Sequence, residues 1–292
     1  MTLGQTYRAG RRILEEAGNE TSAFDEAFAF DASALFFKAF GLDRQQRILR
    51  SAEPAEKDKA ETYLSFVRER AEGRPLQYIL GKWPFLGLEL EVGEGVLIPR
   101  EETELLVKTA ARLLRDIPEP RVADLCSGSG AAALGIVSLL PGARVTAAEK
   151  EEAAFRYLVK NIQKTGLCAK PVLLDVLNPE AAEGFSGIDC VVSNPPYVKS
   201  GDLPLLQREV RREPAEALDG GEDGLLFYRA IARNWVPALR PGGVLAVEVG
   251  DGQAESVASL FTEAGIESIN SEKDFSGIPR VVSGRKAGAL FR

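Results

Sequence analysis

The sequence predicts an α/β protein, built on a doubly wound parallel sheet with a smaller helical domain ahead of it. Three observations predict this. From Arg121 onward, short β-branched runs alternate with segments of helical period. Residues 1 to about 75 carry helical periods alone. Between Trp83 and Ile98 the apolar period drops to two. At 292 residues the chain is long enough for one large domain and one smaller one.

In order along the chain, TYRAGRRILEEAG places Tyr7, Ile13 and Leu14 on one helix side and stops at Gly18-Asn19. FDEAFAFDASALFFKAFG is a second helix ending at a Gly. Its Phe residues at 24, 28, 30, 36, 37 and 40 form either core or a docking surface. PAEKDKAETYLSFVRERAEG, with Tyr63, Phe66, Val67 and Arg70 at helical spacing, is a third and stops at Gly73. WPFLGLELEVGEGVLIP then reads as a β-hairpin through Phe85, Leu88, Leu90 and Val92. A helix follows Arg100 and ends before Pro118 and Pro120. The alternation comes next. Strands are expected in RVADL, RVTAAE, AKPVLLD, IDCVVS, GGVLAVEV, IESINSEK and RVVSGRK. Helices are expected in AAALGIVSLL, EAAFRYLVKNIQKTG, GLLFYRAIARNWVPAL and QAESVASLFTEAG.

Composition removes several chemistries. The chain has no histidine, which excludes Ser-His-Asp triads, Cys-His dyads and His-ligated metals. Cys126, Cys168 and Cys190 are scattered with no CxxC pair, so neither a disulfide framework nor a zinc site is expected. No apolar run approaches the ~20 residues that span a bilayer, and the N-terminus lacks the apolar core of a secretory signal. A cytoplasmic protein without membrane contact is expected. The net charge of -7 and the lack of a Lys/Arg-rich run argue against nucleic acid. Arg208, Arg211 and Arg212 alternate with Glu209 and Glu213, the pattern of a solvated helix face.

The first expected strand ends in Asp124-Leu125-Cys126-Ser127-Gly128-Ser129-Gly130 and runs into a helix. Glycines let backbone approach a ligand, and the helix N-terminus offers free N–H groups. A Gly-rich loop alone can be a tight turn, and this one lacks the spacing of the dinucleotide fingerprint GxGxxG. The next strand ends in Glu149, about 25 residues on, where such folds place a ribose-holding carboxylate. Asp175 closes the third strand and Val176 follows it, where an adenine edge would lie. Each acid singly could be a helix N-cap; together they form a constellation. There is no GxxxxGK[ST] motif, so an adenosyl cofactor without pyrophosphate fits best. The pattern resembles the class I S-adenosylmethionine-dependent methyltransferases.

Val191-Val192-Ser193-Asn194-Pro195-Pro196-Tyr197 follows the fourth strand and reaches the ligand-binding edge of such a sheet. Two prolines stiffen the loop. It can be a mere rigid turn, but it also suits a planar nitrogen whose lone pair is delocalised. The Asn194 side-chain oxygen and the Pro195 carbonyl are two acceptors for its N–H groups, and Tyr197 offers a flat face. Placement at roughly 3–3.5 Å and electrostatics then supply most of the rate. No strong general base is needed.

Asn194-Pro195-Pro196-Tyr197 resembles the loop of N-methyltransferases acting on planar nitrogens, which include adenine-N6, guanine-N2 and protein-glutamine enzymes. Further motifs choose among them. Pro75 to Gly81, Phe85, Val96 to Arg100 and Glu102-Thr103-Glu104 resemble the peptide chain release factor glutamine N5-methyltransferases. Downstream Glu209-Val210, Glu213-Pro214, Ala217-Leu218, Gly220-Gly221, Asp223-Gly224-Leu225 and Tyr228-Arg229 follow the same order. So do Leu239, Pro241-Gly242-Gly243, Glu248, Gly250, Gln253, Asp274, Gly277, Arg280 and Gly284-Arg285. The match runs from about residue 75 to the end.

This resemblance implies a Rossmann-like seven-stranded methyltransferase sheet with an antiparallel strand near its end. It also implies an N-terminal helical substrate-docking domain (1–75), a linker with the hairpin (76–100) and a catalytic domain (101–292). The implied reaction is methylation of the Gly-Gly-Gln glutamine of bacterial class 1 release factors by a monomeric enzyme, with no direct nucleic-acid partner. Asn194, Pro195, Pro196 and Tyr197 would hold the amide. Asp124, Cys126, Ser127, Gly128, Ser129, Gly130, Glu149, Asp175, Val176 and Asn194 would hold S-adenosylmethionine, with no metal. Departures are Cys126 where the family usually has Gly, Glu149 for the commoner Asp, Glu101 for a Pro, and Val176 where some members have an aromatic. The alternatives are a nucleic-acid N-methyltransferase and a cofactor-binding interaction protein that has lost catalysis.

Overall fold

The computed structural model describes residues 1–18 and 24–288, apart from the side chains of residues 24 and 25. Asn19, expected in the first helix stop, and the Phe24 side chain lie outside the described residues. The chain divides into two compact units, Met1–Lys82 with Gln207–Arg212, and Trp83–Leu206 with Glu213–Arg292.

The first unit holds α1 (Leu3–Ala17), α2 (Phe24–Phe40), α3 (Arg44–Leu49), α4 (Lys57–Ala71) and α5 (Leu76–Leu80). A capping box starts α1: Thr2 accepts from the Gln5 amide, and the Gln5 side chain accepts from Thr2 N–H. Tyr7, Leu14, Phe36, Tyr63 and Val67 make its core, with Phe36 stacked on Phe40 at 4.4 Å. The Phe stripe therefore divides: Phe36 is core, while Phe30 and Phe37 are 58% and 55% exposed. Helices α3 and α5, at six and five residues, are too short to show a period and were not expected. Arg70 reaches Asp31 at 2.7 Å and Glu209 at 2.9 Å, tying segment 207–212 into this unit.

From Trp83, the second unit opens on the hairpin of β1 (Lys82–Phe85), whose first residue closes the first unit, and β2 (Leu88–Glu91). Its two-residue turn, Leu86-Gly87, has both φ values positive, the geometry that matches strand twist. After it come α6 (Glu101–Leu114), β3 (Arg121–Leu125), α7 (Ala131–Leu139), β4 (Arg144–Glu149) and α8 (Glu152–Thr165). Then follow β5 (Ala169–Leu173), β6 (Ile188–Ser193), α9 (Leu226–Ala230), β7 (Leu239–Glu248), α10 (Ala254–Glu263), β8 (Ile266–Lys273) and β9 (Pro279–Lys286). The helix expected over 224–239 changes pitch: a π turn over Ile231–Trp235 and a 3₁₀ turn over Val236–Ala238 continue α9. Strand β5 stops at Leu173, two residues before Asp175.

The seven-stranded sheet runs β5-β4-β3-β6-β7-β9-β8, with β9 antiparallel to both neighbours and the first five strands parallel. Side chains alternate between its faces. Val192, Val244 and Ala246 pack with α6, α7 and α8, whereas Val191, Leu245 and Val247 pack with Tyr228, Trp235 and Phe261. Both faces are covered, which is why these strands read as continuous apolar runs. No helix among the described residues is long and apolar enough to cross a membrane.

Candidate active site

The chain leaves β3 toward β4 on one side, and β6 lies on the other. At such a switch point the loops from the two strand ends diverge and leave a crevice. A cavity of about 320 Å³ lies there, within the roughly 300–1,000 Å³ of small-molecule sites. Asp124, Gly128, Glu149, Asp175, Asn194 and Pro196 are among its lining residues.

Backbone geometry turns the β3 loop sharply. Cys126 has φ +59°, in the left-handed region that disfavours a side chain. Ser127 N–H then donates to Ala148 O at 2.9 Å and Gly130 N–H to Ser127 O at 2.8 Å. Gly130, at φ +86°, caps α7; a Cβ there would sit 2.7 Å from Leu158 Cδ1. The Asn161 side chain braces this loop from α8, donating to Ser129 O and Glu91 O and accepting from Glu91 N–H.

The acids differ in environment. Asp124 is buried; its Oδ2 accepts from Ser127 Oγ (2.5 Å) and Ala133 N–H (3.1 Å), while Oδ1 has no partner among the described residues. Burial pushes its carboxyl up to about 7. Glu149 accepts three backbone N–H groups at 2.8 Å, from Gly128, Lys150 and Glu151, so it clamps the glycine loop. Burial still raises its carboxyl, against those donors. Asp175 accepts from Leu177 N–H and lies 3.3 Å from Lys150 Nζ.

Ser193 Oγ donates to Leu125 O at 2.7 Å, joining the ends of β6 and β3. Asn194 Nδ2 donates to Thr103 Oγ1 at 3.0 Å, and Thr103 Oγ1 donates to Glu248 Oε2 at 2.7 Å. No described residue donates to Asn194 Oδ1. Glycines crowd the rest of the loop. A Cβ on Gly220 would lie 2.7 Å from Tyr197 Cα, and one on Gly224 2.5 Å from Tyr197 O. Gln253 Nε2 donates to Tyr197 O at 2.9 Å. Burial raises the Tyr197 phenol.

Cys126, Ser127, Ser129 and Val176 also line the cavity, so eight of the expected cofactor residues and Asn194 share one space. Gly130, Pro195 and Tyr197 are not among the lining residues. Pro195 is buried, and half-buried Tyr197 lies against Gly250.

Comparison with known proteins identifies the architecture. Residues 5–81 match the PrmC N-terminal domain and 101–227 the Methyltransferase small domain. The Release factor glutamine methyltransferase of Geobacter sulfurreducens is 38% identical over 278 residues, covering 94% of this chain and 93% of that protein. The chain belongs to the release factor glutamine methyltransferase family. The Bradyrhizobium diazoefficiens member is 36% identical, covering 97% of this chain and 96% of its own. Among solved structures, the hMettl16 catalytic domain bound to a MAT2A 3′UTR hairpin shares the fold, at TM-score 0.56 and 15% identity. That match covers 78% of this chain and 82% of that one.

Sequence reasoning assigned no role to several residues at this family site. Thr103, Glu248 and Gln253 stood only as matches in order, yet they brace the Asn194–Tyr197 loop. Leu97, Pro99, Pro214, Ala217 and Phe227 line the cavity. Glu213, buried, accepts from Ile98 N–H at 3.0 Å and from Arg100, joining two of these segments.

Proposed function

We propose that this chain transfers a methyl group from S-adenosylmethionine to the side-chain amide nitrogen (N5) of the Gly-Gly-Gln glutamine of peptide chain release factors. One observation carries the reading. Asn194 lines the cavity that Asp124, Glu149 and Asp175 share, with its Nδ2 engaged by Thr103 and its Oδ1 open.

The cavity suits the cofactor. Asp124 Oδ1 is a buried acceptor lacking a partner among the described residues, and an added Cβ at Gly128 would meet nothing within 4 Å. Asp124 and the 126–130 loop would hold the amino-acid end, Glu149 the ribose, and Asp175 and Val176 the adenine. S-adenosylmethionine, when bound, supplies an electrophilic methyl group on its sulfonium.

The chain's own residues supply orientation. An amide nitrogen is planar and weakly nucleophilic because its lone pair is shared with the carbonyl. Asn194 Oδ1 and the Pro195 carbonyl accept its two N–H groups, fix its plane and return electron density to nitrogen. The nitrogen would gain the methyl as the sulfonium S–C bond breaks to leave a neutral thioether, and it would give up one N–H proton to solvent water. The rigid prolines hold these acceptors before substrate arrives, so little reorganisation remains. Tyr197 backs the loop through its contacts with Gly220, Gly224 and Gly250.

The substrates are bacterial class 1 release factors, met in the cytoplasm by a monomer. The N-terminal helical unit docks the protein substrate, a role that exposed Phe30 and Phe37 suit. A net charge of -7 favours a protein partner over nucleic acid.

The test is in vitro methylation with S-adenosylmethionine and a class 1 release factor, and separately with duplex DNA and ribosomal RNA, read by mass spectrometry. One methyl on the Gly-Gly-Gln glutamine, absent from nucleic acid, is expected. Methyl in nucleic acid and none on the factor would overturn the substrate.

A further inference from the structure

We infer that Glu248 and Thr103 are positioning residues: through one hydrogen-bonded chain they set which end of the Asn194 amide faces the substrate nitrogen. The inference rests on the reading above, in which Asn194 Oδ1 accepts from the substrate amide.

The chain is short and buried. Glu248 is 1% exposed and Thr103 4% exposed. The distances are 2.7 Å from Thr103 Oγ1 to Glu248 Oε2 and 3.0 Å from Asn194 Nδ2 to Thr103 Oγ1. Its sense follows from the donor inventory. An ionised carboxylate only accepts, so Thr103 must spend its single O–H on Glu248. Thr103 Oγ1 is then left only as an acceptor, and the part of Asn194 that turns toward it must be the NH2. Oδ1 therefore faces the cavity. Asn194 alone has no such preference, since its two ends have nearly the same shape. A wrong orientation would point N–H at N–H and repel the substrate.

The three residues come from different elements. Thr103 is on α6, Asn194 follows β6, and Glu248 ends β7. Burying an acid beside the site is costly, and in this chain it supplies the acceptor end that makes the amide's orientation unambiguous. Tyr228 OH donates to the Glu248 carbonyl at 2.9 Å and fixes its backbone. Among the described residues, Thr103 is the side-chain donor to the Glu248 carboxylate. Arg100 and Arg280 act on it from a distance while paired with Glu213 and Asp274.

Protonation reverses the chain. A protonated Glu248 gains an O–H that can donate to Thr103 Oγ1, and Thr103 can then donate to Asn194 Oδ1. Turnover therefore rises as Glu248 loses its proton. Burial pushes that carboxyl up to about 7; Glu102 raises it further, Arg100, Arg280 and the Thr103 bond lower it, and Tyr197 and Tyr228 also face it.

The test uses the full chain with a release factor, comparing wild type with Asn194→Ala, Thr103→Val, Thr103→Ser, and Glu248→Gln. Steady-state kcat and KM, a pH profile from roughly 5.5 to 8.5 spanning the raised carboxyl, and calorimetric cofactor affinity are the readouts. Asn194→Ala, Thr103→Val and Glu248→Gln should each lower kcat on the order of 10²-fold, as for loss of one preorganised hydrogen-bonding group. KM and cofactor affinity should stay within about threefold, the mark of a group used in the transition state. Thr103→Ser should restore most of kcat, and at saturating cofactor, where the equally raised Asp124 of the cofactor site is already occupied, the acidic limb of the kcat profile should vanish in Glu248→Gln. If Asn194→Ala is inactive but Glu248→Gln keeps wild-type kcat and profile, the inference is wrong and the Asn194 reading stands. If Asn194→Ala keeps wild-type kcat, that reading falls and takes the inference with it. Equal losses of cofactor affinity and kcat in Thr103→Val and Glu248→Gln would make the pair structural and overturn the inference.

Discussion

Gly220→Ala isolates the rigidity of the Asn194–Tyr197 loop from its chemistry. A Cβ on Gly220 would lie 2.7 Å from Tyr197 Cα and 2.9 Å from both Pro196 O and Tyr197 C. All three are backbone atoms, so no side-chain rotation relieves the clash. Gly220 is also held in place, since its N–H donates to Val198 O at 2.7 Å. Its φ is not in the left-handed range, so the effect of alanine is steric alone. Moving from 2.7 Å to the 3.4 Å where ordinary contact begins displaces the loop by about 0.7 Å. Overpacking of this kind costs about 1–3 kcal/mol, or roughly 2–12 °C in Tm for a domain of this size. A 1 Å misplacement can cost about 10²-fold in rate, so kcat should fall roughly 10- to 100-fold. Gly201→Ala is the control, because a Cβ there meets nothing within 4 Å. Methyl transfer to a release factor and thermal denaturation are measured on both. A Gly220→Ala protein with kcat within twofold of wild type would refute the claim that loop placement limits turnover.

Three other perturbations follow from the same geometry. Asp124 and Glu248 both have carboxyls raised to about 7 by burial. The folded chain keeps protons there that the unfolded chain releases near pH 4. Their contribution to stability is thus present at pH 4 and lost as pH rises toward 7, by a few kcal/mol in all. Urea denaturation at about pH 5 and 7.5 should show this, and Asp124→Asn should flatten it; stability rising over that window would contradict the assignment. At Cys126, φ +59° makes Cys126→Val costly, about 2–3 kcal/mol, while Cys126→Gly should cost less than about 1 kcal/mol; thermal melts compare the two. Arg70→Ala removes the partner of buried Asp31 and of Glu209 and should destabilise the first unit by about 2–4 kcal/mol, seen as an earlier transition in its helical signal.

The sheet was legible because strands buried on both faces leave long apolar runs with sharp ends. Leu125, Glu149 and Ser193 each close a strand where an apolar run stops. Short elements left no such mark. Helices α3 and α5 depend on their surroundings, although the Asp43-x-x-Gln46 capping box was a local sign of the first. The pitch change at Ile231–Trp235 was invisible, since a single π turn adds only about one residue to the turn and leaves no compositional mark of its own.

The site divides along the same physical line. The residues proposed to hold ligands sit at or close to strand ends, and order along the chain locates them: Asp124, Glu149, Asp175 and Asn194 all line one cavity. Groups that orient those residues act through contacts between positions far apart in sequence. Thr103 and Glu248 are separated by 145 residues, and Asn161 braces Ser129 across 32. A threonine in a helix's first turn and a glutamate closing a strand each have an ordinary local explanation, as cap and as strand end. Only the 2.7 Å and 3.0 Å contacts give them a shared direction toward Asn194. That direction matters chemically because an asparagine presents either a donor or an acceptor from nearly the same outline. A loop selected only for stiffness would place the amide correctly and still leave its orientation open; the buried Glu248 carboxylate, which when ionised can only accept, closes that choice.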